Sequence, residues 1–319
     1  MTDPRSIEAV DTVEVLCLQD NYIDMALQDN STMVRRASIL KNGEINNSIR
    51  AEHGFSVVVR TGSGDTWRTM LFDFGFSPDG AACNAKLLGA PLHEIDSMAL
   101  SHGHSDHTGG IAQLTDMTGR NGIPLFCHPG VFTPFRYLEP LPGFLMHFPR
   151  FDRKPLEDRG IRIVETTEPQ PLPGNHVLFL GEIPRKTDFE KGFPIAYRDT
   201  GGTKAWDPIE DDSAIVINLR DKGLIIISGC AHAGIVNTVI HAKQVTGIDS
   251  VHAVMGGFHL TGPLFEAIIE RTTEELINLN PEFVVPCHCT GRKATMFMEQ
   301  KMPDRFIFNM SGTRLTFRA

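Results

Sequence analysis

Three histidines and one aspartate fall within six positions in the run Ser101-His102-Gly103-His104-Ser105-Asp106-His107. Neutral imidazole nitrogen and carboxylate oxygen suit a borderline divalent cation such as zinc, and also manganese or iron. One such histidine would be an ordinary solvated loop residue. His-x-His-x-Asp-His between a strand and a helix reads as a ligand set. A cation held this way, with a position left open, lowers the pKa of bound water towards about 7 and polarises a carbonyl or phosphoryl oxygen. Two cations about 3.5–4 Å apart can hold both the attacking and the leaving oxygen. The chemistry indicated is metal-assisted hydrolysis, with one or two cations per chain.

The strand-like run Ile95 to Leu100 delivers this set. Gly109-Gly110, then Ile111-Ala112-Gln113-Leu114, opens a helix after it. In extended backbone His102 and His104 lie on one side, because side chains repeat every two residues; Asp106 and His107 follow around the bend. Three later strand-to-loop junctions each carry a histidine: His232, His259 and His288. Ligands of open α/β sheets lie beyond the carboxyl ends of strands, so all of these are expected in one cleft. His128 also ends a strand-like run. His93, His147, His241 and His252 have no such context and read as surface or core residues.

The rest of the chain supplies a layered α/β frame. Val13 to Leu18 alternates as a strand, and residues 24–50 are polar and irregular. Ala51 to Val59 turns into a strand, Thr61 to Asp65 is a hairpin turn, and Thr69 to Asp73 is the next strand. Ala81 to Leu88 reads as a helix. Later, Ala214 to Leu219 and Leu224 to Ile227 form a hairpin. A helix from about Ile235 to Gln244, a strand Val251 to Met255, a helix Leu264 to Leu279 and a strand Glu282 to Pro286 follow. Two short strands, Phe306 to Asn309 and Arg314 to Phe317, end the chain. Both halves share a plan of β-meander followed by alternating helix and strand. The expected fold is an αββα sandwich, two mixed sheets with helices outside, in one domain over residues 1–319. Residues 129–212 are rich in proline and aromatics and lack helical periodicity. They read as an elaborated insertion with short strands at Ile161 to Glu165 and His176 to Leu180, the kind of loop region that covers a site or forms an interface.

Composition narrows the class. With 319 residues, 41% hydrophobic and 22% charged, the chain is ordinary for a globular protein with a large core. A formal net charge of −9 and the lack of a basic run argue against nucleic acid. No apolar stretch reaches the length of a membrane span; residues 1–11 are polar and expected to fray, and the N-terminus does not read as a signal peptide. The six cysteines are scattered beside apolar runs, which suits buried thiols in a reducing cytoplasm. Cys287-His288-Cys289 alternates, so both thiols are expected to point away from the histidine as structural cysteines.

The His-x-His-x-Asp-His motif, with its leading strand and trailing Gly-Gly, resembles the signature of the metallo-β-lactamase superfamily. Other segments extend the resemblance over most of the chain: Asp20-Asn21-Tyr22, Ala51-Glu52-His53-Gly54-Phe55-Ser56, Phe72-Asp73-Phe74-Gly75, Gly181-Glu182-Ile183-Pro184-Arg185, Ser228-Gly229-Cys230-Ala231-His232-Ala233-Gly234-Ile235-Val236-Asn237, Gly256-Gly257-Phe258-His259-Leu260 and Pro286-Cys287-His288-Cys289-Thr290-Gly291. Together they are similar to a subgroup of metal-dependent hydrolases often labelled dihydropterin (ribofuranosyl)aminobenzene 5′-phosphate synthase. The resemblance implies two further ligand histidines, the last being His288, and a bridging aspartate where this chain has Gly229-Cys230. Cys230 then stands as a soft ligand or as a buried inert thiol. The other ligand histidine comes from His128, His176, His232 or His259.

The resulting expectation is a hydrolase acting on a small anionic ester, phosphoester or lactone. His102, His104 and a later histidine hold one cation; Asp106, His107 and His288 hold or complete a second position; Asp106 also orients the attacking water. Arg185 and the pair Glu52-His53 are expected beside the substrate, with Lys186, Arg292 and the Ala233-Gly234 helix start as further anion contacts. A synthase of the labelled kind, a di-iron redox protein and a metal sensor without turnover are the alternatives. The redox reading lacks a recognisable flavin domain. A homo-oligomer is compatible with all of them.

Overall fold

The computed structural model describes residues 7–38, 40–45 and 48–319. Residues 1–6 lie outside them; of the stretch 1–11 expected to fray, Ala9–Val10 is instead a strand paired with Asn218 and Leu219, with Val10 fully buried. Two mixed sheets pack face to face. The first runs in the order Arg162–Glu165, Pro124–Cys127, Ser97–Ala99, Thr66–Phe72, Ser56–Ser63, Thr12–Gln19, Arg314–Arg318, Val34–Arg35. The second runs Gln170–Pro171, Val177–Phe179, Ala214–Leu219, Gly223–Ser228, Val251–Gly257, Phe283–Cys287, with Ala9–Val10 added beside Ala214–Leu219. In each sheet an antiparallel meander gives way to parallel strands with helical crossovers.

Period-two alternation explains the layers. Val13, Val15, Val57, Val59 and Phe72 meet Ile215, Ile217, Ile225, Ile227 and Met255 in a core between the sheets. The alternate residues Val216, Leu224, Ile226, Val254 and Val284 face outward, under the helices Ile235–Thr246, Ile269–Leu279 and Gly291–Lys301. Leu16, Val58, Leu71 and Met98 do the same under Gly80–Leu87 and Ile111–Thr118. The αββα sandwich is thus the architecture observed.

Several elements differ in extent from their sequence reading. Ser63 pairs with Thr66, so the first hairpin turns in only Gly64-Asp65, with Gly64 at φ +54°. The strand before the His motif is Ser97–Ala99, shorter than Ile95 to Leu100. The helix expected from Leu264 is a 3₁₀ turn at Glu266–Ile268 and α-helical from Ile269. Phe306 to Asn309 is not a strand; only Phe306 bridges to Val284. The chain there is turned to anchor a loop, with the Asn309 amide donating to Asp20 Oδ2 at 2.6 Å.

The proline-rich stretch is not one separate block. Arg162–Glu165 and Val177–Phe179 belong to the two main sheets. The segments Arg136–Leu141, Phe144–His147, Ala196–Asp199 and Lys204–Trp206 form their own four-stranded sheet. Arg136 fastens it to the sandwich: its guanidinium donates to Asp211 and lies 2.9 Å from Asp207 through Nε. Asp211 also accepts the Gly103 N–H at 2.8 Å, so the added sheet grips the backbone between His102 and His104.

Candidate metal centre

The parallel strands of both sheets end at one edge of the sandwich, and their loops carry the ligating side chains. Ser97–Ala99 leads to His102 and His104, and the single helical turn Ser105–Thr108 carries Asp106 and His107. Gly223–Ser228 leads to Cys230 and His232, Val251–Gly257 to His259, and Phe283–Cys287 to His288 and Cys289. Asp73, Ala231, His259 and His288, all non-glycine, have positive φ of +56°, +54°, +45° and +48°. Such backbone is costly and persists where surrounding structure holds it, commonly at functional sites. Here it bends each strand end sharply enough to aim side chains at the cleft.

Close backbone approach is built in by glycine. A Cβ on Gly109 would lie 1.7 Å from the Phe76 carbonyl oxygen, so only glycine lets the metal loop settle on Gly75-Phe76. A Cβ on Gly229 would lie 2.0 Å from Ser101 Oγ and 2.7 Å from Asp73 Oδ2. The two halves of the sandwich touch at that point.

Three donor groups result. His102, His104 and His232 form one; Asp106, His107, Cys230 and His288 form a second; Cys230, His259 and Cys289 form a third. Within each group the donor atoms lie within 4.8 Å of one another. The first two groups fit a cation on an independent observation. His102 Nε2, both ring nitrogens of His232 and His288 Nε2 are buried without a hydrogen-bond partner. Buried polar atoms are seldom left so, and one cation in each group would satisfy them.

Electrostatics favour the ligating protonation states. Burial and neighbouring histidines push His102 and His232 well below the ordinary imidazole range. Burial and the Arg136 charge bring His104 to about 3. Their lone pairs are therefore free at neutral pH. Burial resists ionisation of Asp106, but His107, His288 and His104 hold it well below the usual carboxylate range. His107 is the exception: burial opposes its charge, yet Asp73 and Asp106 raise it to about 9.

The supporting contacts orient the ligands. Asp73 Oδ2 lies 2.6 Å from His107 Nδ1, which leaves Nε2 facing the cleft, 3.1 Å from Cys230 Sγ. Asp73 also accepts the Ser101 N–H and hydroxyl, each at 2.7 Å, and Ser101 Oγ lies 3.0 Å from His102 Nδ1. Asp20 accepts the His288 N–H at 2.8 Å, and Asn21 Oδ1 lies 3.0 Å from His288 Nδ1. The His104 ring stacks on Phe148 at 4.1 Å. Over the centre lies a cavity of about 510 Å³, walled by Leu138 and Pro140 of the added sheet, by Phe148 just after its second strand, and by Phe193, Ile195 and Phe265.

His102, His104, Asp106, His107, His232, His259, His288 and Cys230, all anticipated as ligands, are brought together. His53 reaches the rim, with Nε2 3.9 Å from Asp106 Oδ2. Glu52 does not face the cavity: it accepts from the Gln19 amide at 2.9 Å and the Ser77 hydroxyl at 2.9 Å, bracing the neighbouring loop. Arg185 donates to the Pro208 and His232 carbonyls, holding the His232 backbone without lining the cavity. Lys186 is exposed and bonds Gln244. Arg292 lines a neighbouring cavity of about 540 Å³.

His128 accepts the Gly130 N–H as a turn cap, and His176 pairs with Thr61 away from the cleft. Cys287 is buried in the core between the sheets, as expected. Cys289 is not the inward structural thiol that strand alternation implies. The chain leaves the strand at Cys287 for a 3₁₀ turn, His288–Thr290, and positive φ at His288 breaks the alternation. His288 and Cys289 therefore both reach the cleft. Burial lifts the Cys230 thiol, and burial likewise resists ionisation of Cys289; hydrogen bonding from Cys230 and the charge of His288 nevertheless hold Cys289 well below the ordinary thiol range. Sequence reasoning did not assign roles to Asp73, Arg136, Asp211 or Phe148. Only Asp73, an acid at a strand end before Phe74-Gly75, carried a local signal.

This fold with this cleft is that of a known class. The profile of the metallo-beta-lactamase superfamily matches residues 49–288, and the chain belongs to that superfamily. Among individual relatives, the 7,8-dihydropterin-6-methyl-4-(beta-D-ribofuranosyl)-aminobenzene-5′-phosphate synthase of Methanocaldococcus jannaschii is 36% identical over 267 residues, covering 81% of this chain and 88% of the relative. An uncharacterized protein of the same organism is 27% identical over 269 residues, covering 82% and 92%. A solved structure described as a metal-dependent hydrolase of the beta-lactamase superfamily superposes with a TM-score of 0.71 at 22% identity, covering 96% of this chain and 100% of that one.

Proposed function

We propose that the protein is a metal-dependent hydrolase of a small anionic ester, phosphoester or lactone. The observation that carries the reading is the set of buried, unpartnered nitrogens of His102, His232 and His288, grouped with His104 and Asp106 where His104, Asp106 and His232 line the apolar cavity. His102, His104 and His232 would hold one divalent cation; Asp106, His107 and His288, with Cys230 beside them, would hold a second. Zinc suits this donor set, as do manganese and iron. Bound there, a cation would supply Lewis acidity and an acidified water. The chain's own groups do the rest. Asp106, a carboxylate facing His288 at 3.2 Å and His53 at 3.9 Å, accepts a proton from the attacking water and fixes its direction. Phe148, Phe193 and Phe265 exclude bulk water and pack against the apolar part of the substrate. His53 at the rim contacts the anionic group.

The 36% identical synthase supports a narrower second reading, in which the substrate is a phosphorylated dihydropterin-type molecule. The apolar aromatic wall of the cavity suits such a flat ring. The test is a turnover screen of the metal-loaded protein on phosphomonoesters, phosphodiesters, carboxyl esters and lactones, with Asp106→Ala as control. Turnover on one class that vanishes in the folded variant is expected. A metal-loaded, folded protein inert on every class would contradict the hydrolase and bring the sensor reading forward. Strong visible absorbance with redox turnover would favour the di-iron alternative.

A further inference from the structure

We propose that Cys230, His259 and Cys289 form a third, thiolate-rich cation position contiguous with the His/Asp centre. It would take a borderline-to-soft divalent ion such as zinc or cobalt(II). The donor atoms of the three residues lie within 4.8 Å of one another. They come from three separate strand-end loops, after Ser228, Gly257 and Cys287, so no local turn forces them together. Neither cysteine is bound in a disulfide, and both are buried, at 2% and 3% exposure.

The donor chemistry differs from that of the neighbouring groups. This trio contains no carboxylate and two sulfurs, which selects softer ions than His and Asp do. His259 Nδ1 is buried with no hydrogen-bond partner, an orphan like those of His102 and His232. The half-buried His259 ring is held between Phe265 at 4.5 Å and Phe193 at 5.0 Å, with its Nδ1 on the buried side.

The backbone is also shaped for the sulfur. A Cβ on Gly257 would lie 2.6 Å from Cys289 Sγ, so the glycine leaves the space the thiol occupies. His259 adopts φ +45° to bring its ring to the same point. Cys230 belongs to both the second and the third donor group, so the new position abuts the one formed by Asp106, His107 and His288.

The test uses cobalt(II) alone as the probe. Apoprotein is loaded anaerobically, bound cobalt per chain is counted by elemental analysis, and the near-ultraviolet thiolate-to-cobalt charge-transfer band is recorded. The wild type is compared with Cys289→Ala and His259→Gln, neither of which alters the other two histidine-containing groups except through Cys230. Each variant is expected to lose one cobalt per chain, and Cys289→Ala to lose the contribution of one thiolate to the band. His104→Ala, which damages only the first group, should lose a cobalt while keeping the band. That separates this proposal from the hydrolase reading. Unchanged cobalt and an unchanged band in Cys289→Ala and His259→Gln would overturn the proposal. Should either variant misfold, alkylation of the native wild type decides. Cobalt is expected to protect both Cys230 and Cys289, and equal labelling of Cys289 with and without cobalt would overturn the proposal.

Discussion

Asp106 carries more of the proposed chemistry than any other side chain, because it touches both the ligand cluster and the rim histidine His53. Asp106→Ala should abolish turnover while far-ultraviolet circular dichroism and thermal unfolding stay close to wild type; retained turnover would remove its role. Asp73 acts through His107. Replacing it with Asn keeps the shape but weakens the 2.6 Å contact that fixes the imidazole. Metal affinity should fall by about 10–100-fold, measured by competition with a chelator. At this scale the sequence was informative wherever ligand types clustered: His102 to His107 announce themselves. It marked Asp73 only as an acid at a strand end and gave it no role, because its partner His107 lies 34 positions away. It misjudged Cys289, because alternation holds only while the strand continues.

Among elements, the added four-stranded sheet is joined to the metal loop by a buried ion pair. Arg136 opens the strand Arg136–Leu141, and its partner Asp211 accepts the Gly103 N–H. Burial opposes ionisation of Asp211, but Arg136 brings it to about 2 from an ordinary 3.8. A folded-state value below the unfolded one stabilises the fold above the unfolded pKa. That stability is lost as pH falls through 3.8 towards 2. Asp211→Asn leaves Arg136 with Asp207 as its remaining carboxylate; it should therefore cost about 2 kcal/mol at neutral pH and flatten the acid limb of the stability–pH curve. Urea unfolding at a series of pH values measures both. Unchanged acid sensitivity in the variant would count against the coupling. The proline-rich segment was readable as an elaboration. Its division was not, because Arg162–Glu165 and Val177–Phe179 look like the neighbouring short strands until their pairing partners are known.

Across the whole molecule, the sandwich brings together loops from both halves, and its stiffness rests on the core between the sheets. Ile217, fully buried opposite Ile225, is central to that core. Ile217→Ala should destabilise the fold by about 2–5 kcal/mol in chemical denaturation. The layered architecture was legible because alternating apolar strands such as Ala214 to Leu219 face two cores at once. The return of Arg314–Arg318 to the first sheet, beside Thr12–Gln19, was not. No helix among the described residues is long and apolar enough to cross a membrane. On the proposed reading, His102, His104 and His232, and separately Asp106, His107 and His288, each hold a catalytic divalent cation. The most direct measurement is elemental analysis of protein purified without added metal, for the wild type, His104→Ala and Asp106→Ala. Each folded variant should carry about one cation fewer per chain than the wild type and turn over no substrate. A folded wild type without metal, or variants with undiminished metal and turnover, would contradict that reading.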